Sequence, residues 1–179
     1  AKSKGYEVLL LDSPIVSHLL QKLETSKDNI SFVRVDADNV DSLIKKDEEQ
    51  ISKLSDEEKE TLKKTLEETI SDSNYTVKLE AMDSSAAPFM ITQPEFMRRM
   101  KEMQQTGGGG MFGMGNMPDM YNIVVNVNHE LVNEILNTKT KKKQERLINQ
   151  SLDLAKLSQG LLRGEALTNF VKRSYEMIK

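Results

Sequence analysis

Two histidines and a run of methionines are the side chains that could do chemistry in this chain, which has 179 residues and no cysteine. His18 and His129 each fall at or near a helix beginning, far apart in sequence. They do not read as a metal pair, which needs ligands converging on one point. His18 is expected on a helix surface or half-buried, and His129 in a first turn. Met111, Met114, Met117 and Met120 are spaced three apart and could offer soft thioethers to Cu(I). No histidine or cysteine supports them and no secretion signal accompanies them, so copper is set aside. The stretch TGGGGMFGMG lacks the lysine, the preceding strand and the following helix of a phosphate-binding loop. No catalytic, cofactor-binding or metal-binding residue is therefore assigned, and the chain by itself is not expected to be an enzyme.

What remains is apolar recognition. Eight methionines lie between Met90 and Met120, interleaved with glycine. Methionine is the most adaptable apolar side chain and glycine the most permissive backbone, a pairing that suits a surface accepting many shapes. The segment 94–105, PEFMRRMKEMQQ, reads as a helix begun by Pro94. At helical spacing Phe96, Met97, Met100 and Met103 share an arc of roughly 120°, with Arg98, Lys101, Glu102 and Gln105 opposite. The Gly/Met loop 106–120, with Met111 and Phe112, extends the same apolar character; a plain flexible linker is the competing reading.

The bulk composition narrows the partners. Net charge is −3 and the charged fraction 30%. An acidic balance disfavours a dedicated nucleic-acid binder, which needs a basic face. The basic run KTKKKQER at 139–146 has no interleaved aromatics and reads as a solvated helix approach. No stretch is long and apolar enough to span a bilayer. The opening AKSKGYEV has no apolar signal core and reads as a cut made inside a longer protein.

Positioning these residues falls to a short series of elements. Tyr6–Leu11 reads as a buried strand, Asp12 and Ser13 as a cap ahead of Pro14, and Ile15, Val16, Leu19, Leu20 and Leu23 as one helix face. ISFVRVDAD then alternates as a strand, which makes a β-α-β element whose core lies elsewhere. Residues 36–60 are a charge-rich connector. Ser55 with Glu58 forms a capping box for a helix whose apolar stripe is Leu62, Leu66 and Ile70. YTVKLEAM, APFMIT and YNIVVNVNH read as three strands, and Asn128 as the cap of a short helix with Leu131, Val132, Ile135 and Leu136.

The end of the chain is helical and apolar beyond what so small a sheet can cover. Leu147, Ile148, Leu152, Leu154, Ala155, Leu157 and Leu161 sweep about 220° of one helix. Leu167, Phe170, Val171, Ser174, Met177 and Ile178 cover about half of the next. A contiguous patch of that kind implies a partner, and two helices from each of two chains make a four-helix bundle. The expected fold is α/β of the α+β kind: a small three-stranded sheet with helices, the C-terminal helices forming a dimeric four-helix bundle, preceded by the β-α-β piece. The expected homodimer interface is Leu147, Leu154, Leu157, Leu161, Leu167, Phe170, Val171, Ser174 and Ile178. Expected contacts to unfolded polypeptide are Phe96, Met97, Met100, Met103, Met111 and Phe112.

The order KGYEVLLLDSPI, capped acidic helix, QPEFMRRMKEM, NVNHELVNEIL and LTNFVKRSYEMIK resembles the C-terminal part of the heat shock protein 90 chaperones, in particular their bacterial branch. The resemblance implies that residues 1–45 end a middle domain and that 46–179 form a dimerisation domain. It implies a cytoplasmic ATP-dependent chaperone of the stress response, whose partners are itself and unfolded clients, with no nucleic acid and no membrane. It also implies that ATP and Mg belong to an N-terminal domain of the parent protein, and that this region holds no cofactor. The chain stops at EMIK without the acidic tail by which cytosolic eukaryotic relatives recruit repeat-domain partners, so those partners are not implied. Two alternatives are a methionine-rich signal-peptide and RNA-binding module like that of the signal recognition particle, and a stand-alone dimerisation protein. The first needs a basic RNA face and a helix-rich fold, against which the net charge and the three alternating strands stand.

Overall fold

The computed structural model describes residues 5–13, 15–35, 50–94, 97–99 and 119–178. Their helices are α1 (Val16–Ser26), α2 (Asp56–Thr69), α3 (Glu130–Asn137), α4 (Lys141–Ser158) and α5 (Gly164–Ile178). Their strands are β1 (Tyr75–Glu80), β2 (Phe89–Thr92) and β3 (Tyr121–Asn126), joined in the order β1-β3-β2. Contacts divide the chain into two compact units, Ala1–Lys46 with Thr92–Met120, and Asp47–Ile91 with Tyr121–Lys179. The sequence-based division grouped 92–120 with the rest of 46–179; by contacts it falls with the first unit.

In the larger unit, α2 begins where its sequence dictates. Ser55 Oγ accepts from the Glu58 N–H at 3.2 Å and the Glu58 carboxylate accepts from the Ser55 N–H at 2.8 Å, so two orphan donors are satisfied reciprocally. Leu62 and Leu66 are wholly buried and Ile70 nearly so. The helix stops at Thr69, and Asp72 turns the chain by accepting from the Asn74 N–H.

β1 and β3 run parallel, Tyr75 opposite Tyr121 through Glu80 opposite Asn126. The alternation in YNIVVNVNH predicts a half-buried strand, but β3 lies between two neighbours and is covered on both faces. Ile123, Val124, Val125 and Asn126 are all fully buried. Helices α2, α3 and α4 supply the rest of one core, in which Val132, Ile135, Ile148, Leu152 and Ala155 meet Val77, Ile123, Val125 and Val127.

Two asparagines bind this core's polar edge. Asn126 Oδ1 accepts from the Met82 and Asn128 N–H groups, and its Nδ2 donates to the Asp83 carbonyl at 2.8 Å. Asn128 Oδ1 accepts from the Lys53 N–H at 2.8 Å, and its Nδ2 donates to the Ile51 and Met82 carbonyls. Asn128 is thus not the helix cap expected of it. His129 takes that place, its Nδ1 accepting from the Leu131 N–H at 3.0 Å.

In the smaller unit, α1 starts at Val16 after Ile15 rather than behind Asp12 and Ser13. The flanking strands expected at 6–11 and from Ile30 do not form among the described residues. A strand exists only through its neighbour, and an isolated pair is marginal in water. Leu9, Leu10, Val33 and Val35 are accordingly exposed. What orders this unit is polar. Glu24 on α1 receives a two-toothed contact from Arg99, at 2.7 and 3.1 Å, and accepts from the Phe32 N–H at 2.7 Å. Arg99 also donates to the Phe32 carbonyl at 2.8 Å. The Arg99 guanidinium, then the Phe32 amide, hold the Glu24 carboxyl down from 4.5 to about 2.

Candidate functional site

The described surface richest in unburied apolar side chains outside residues 5–35 is that of α4 and α5. The chain between them turns at Gly160 and Gly164, with φ of 65° and 60°, a backbone region where a Cβ is strained. Leu162 and Phe170 are buried there within the chain. A polar clasp then fixes one helix to the other. Arg173 donates to Gln150 Oε1 at 2.8 Å and to Asp153 Oδ2 at 2.6 Å. Gln150 Nε2 donates to Ser174 Oγ at 2.8 Å, and Ser174 donates back to the Phe170 carbonyl. Farther along, Arg146 and Glu176 pair at 3.5 Å.

Outside the clasp lies an apolar stripe. Leu154 and Leu157 stand one turn apart on α4; Val171, Tyr175 and Ile178 follow at spacings of four and three on α5. Their exposures run from 41% at Val171 to 82% at Ile178, and Met177 is exposed as well. At the inner end of α4, Lys156 sits 4.7 Å over the Tyr75 ring, which stacks on Tyr121 at 5.7 Å. Burial, more than the nearby Asp72, pushes the Tyr75 hydroxyl pKa up.

The structure sorts the residues expected at a dimer interface. Leu154, Leu157, Val171 and Ile178 are exposed and on the stripe. Leu147 and Leu161 are partly buried against the chain's own core. Leu167 is half-buried, and so is Ser174, which is engaged in the clasp. Phe170 belongs to the interior at 7% exposure, with Arg173 over its ring. Tyr175 was not foreseen; its place four residues after Val171 was the available signal. The clasp residues Gln150, Asp153 and Arg173 were read only as a polar outer face.

Of the residues expected to meet unfolded polypeptide, Met97 is half-buried in a helical turn in which the Arg98 N–H donates to the Pro94 carbonyl at 3.2 Å. Phe96, Met100, Met103, Met111 and Phe112 lie outside the described residues. His18 is exposed on α1, and His129 is half-buried as the α3 cap. Among the described residues no three histidine or acidic side chains converge as a metal site, and no helix is long and apolar enough to cross a membrane.

Comparison with known proteins gives a consistent picture. The sequence model of the family described as Hsp90 protein matches residues 1–179. A chaperone protein HtpG of Bacteroides fragilis (strain 638R) is 33% identical over 249 aligned positions, which take in 99% of this chain and 36% of that protein. Chaperone proteins HtpG of Porphyromonas gingivalis (strain ATCC 33277) and Bacteroides thetaiotaomicron are 31% and 30% identical, again over 99% of this chain and 36% of theirs. The chain thus spans about a third of the length of these relatives. Since 249 positions exceed its 179 residues, the relatives carry stretches within that span that it lacks.

Proposed function

The chain belongs to the Hsp90 protein family, and on that premise we propose that it is the region by which two protomers of such a chaperone are held together and unfolded client segments are met. One observation carries the first half: the exposed stripe of Leu154, Leu157, Val171, Tyr175 and Ile178 beside a clasped helix pair. An isologous bundle of four helices buries such a stripe against its own copy. The tether makes association of more distant domains intramolecular, at high effective concentration, so that a clamp can open and close. Residues 1–45 would end a middle domain and 46–179 form the dimerisation domain of a cytoplasmic chaperone. ATP and Mg would act in the parent's N-terminal domain, and no step here is routed through them.

The second half rests on the methionine spacing and on Met97, placed two residues before the clamped Arg99. Flexible thioether side chains adapt to varied apolar segments. The test is a full-length parent protein in which Met97, Met100 and Met103 are changed to serine. Suppression of client aggregation should fall while ATP turnover and dimerisation persist. Unchanged protection with both controls intact would remove the methionines from the client surface.

A further inference from the structure

In a parallel pair each residue directs its main-chain N–H and C=O to the same side, and successive residues alternate. The Asn74 carbonyl accepts from the Tyr121 N–H and the Glu80 carbonyl from the Val127 N–H, both at 2.9 Å. Even-numbered residues of β1 therefore face β3. Val77 and Leu79 turn their main-chain groups to the opposite side, where β1 is the edge of the sheet. Among the described residues no strand or helix hydrogen-bonds to that edge.

The edge does not open onto flat solvent. A groove of about 420 Å³ runs along Val77–Glu80, with Lys59, Glu60 and Lys63 of α2 forming its far wall. A free strand edge beside a helix wall is the geometry in which an extended peptide adds as a further strand. Charge narrows the occupant. Lys59, Lys63 and Lys78 face two carboxylates, Glu60 and Glu80, across the groove. Lys63 is only loosely held by Glu67, at 3.9 Å, and remains half exposed. A second copy of β1 is disfavoured, because antiparallel pairing of two edges would bring Lys78 near its own counterpart.

We propose that the groove between the β1 edge and α2 is a docking site for an extended, acidic polypeptide segment, bound through the outward N–H and C=O groups of Val77 and Leu79 and through Lys63 and Lys78. The backbone bonds supply sequence-tolerant affinity and the lysines the preference for carboxylates.

The probe is a short peptide alternating glutamate with valine, compared with its lysine counterpart, on the full 179-residue chain. Without peptide, the Val77 and Leu79 amides should exchange with solvent much faster than those of Thr76 and Lys78. With the acidic peptide their exchange should slow at least about tenfold, the ratio that binding to nine-tenths occupancy gives. Lys63→Glu with Lys78→Glu changes side chains outside the core and should abolish that protection without shifting the thermal midpoint by more than a few degrees. Protection absent at millimolar peptide, or equal with the lysine peptide, overturns the proposal. The association state of the chain is read in the same samples by sedimentation. A failure of the α4–α5 reading moves that readout alone, and a failure of this one moves only the exchange.

Discussion

Substituting Leu154→Glu together with Ile178→Glu should turn a dimer into a folded monomer, and the size of the effect follows from exposure. Leu154 is 51% exposed and Ile178 82%. Burying a leucine or isoleucine completely stabilises by roughly 1.5–3 kcal/mol, so what each still has to lose is worth about 1 and about 2 kcal/mol. A two-fold interface counts each residue twice, giving about 6 kcal/mol, or about four powers of ten in Kd, as an upper figure. Neither residue belongs to the core, so circular dichroism and the thermal midpoint of the monomer should change little. Phe170 would be the wrong choice. At 7% exposure a charge there enters the seam between α4 and α5 and unfolds the helix pair. Sedimentation velocity at micromolar protein is the assay. A monomer from the unmodified chain, or an undiminished dimer from the double variant, refutes the assignment of the stripe.

Three further outcomes are expected. Glu24, held at about 2 instead of 4.5, contributes stability that is complete above its ordinary pKa and is lost as pH falls through 2. A carboxyl titration by NMR should place its midpoint near that value, and Arg99→Ala should move it upward; an unmoved midpoint would falsify the clamp. Asn128→Ala strands the Lys53 N–H and two carbonyls, each worth about 1–3 kcal/mol when buried and unpaired. The urea midpoint should fall with its slope unchanged. Ser55→Ala removes one half of the α2 capping box and should cost about 0.5–2 kcal/mol by the same measurement, whereas Ser55→Gly should cost only a few tenths.

Local chemistry made several elements legible. The Ser55–Glu58 box and the Leu62, Leu66, Ile70 stripe announce α2, and the apolar sweep of 147–161 announces α4. What pairs with what was not legible. Nothing within YTVKLE or FMIT says that YNIVVN will lie between them, and only that central place buries Val124 and Asn126 on the second face. Asn126 and Asn128 read as outward strand positions and a cap. They are buried because segments more than forty residues away in sequence bring matching donors and acceptors to them. The site was legible as a list of apolar residues and not as a division of them. A helix apolar around half its circumference touches two neighbours, and spacing alone cannot say that Phe170 takes the inner one while Val171, Tyr175 and Ile178 take the outer.

That division matters for how the stripe could work. Two helices that drifted independently would have to be ordered before they could present a common face, and ordering opposes association. Here the Arg173–Asp153 contact, its two side chains only about a fifth to a quarter exposed, joins Gln150 and Ser174 in tying the helices together within one chain. The buried Leu162 and Phe170 close the same seam from inside. The outer face is thereby set before any partner arrives, and the cost of ordering it belongs to folding rather than to dimerisation. Loosening the clasp with Arg173→Ala should therefore weaken the dimer although Arg173 is not on the stripe. It should do so with a lower thermal midpoint of the monomer, whereas Ile178→Glu weakens the dimer and leaves that midpoint in place. If Arg173→Ala lowers the midpoint and the dimer constant is untouched, the helix pair is ordered by its partner and not by its clasp.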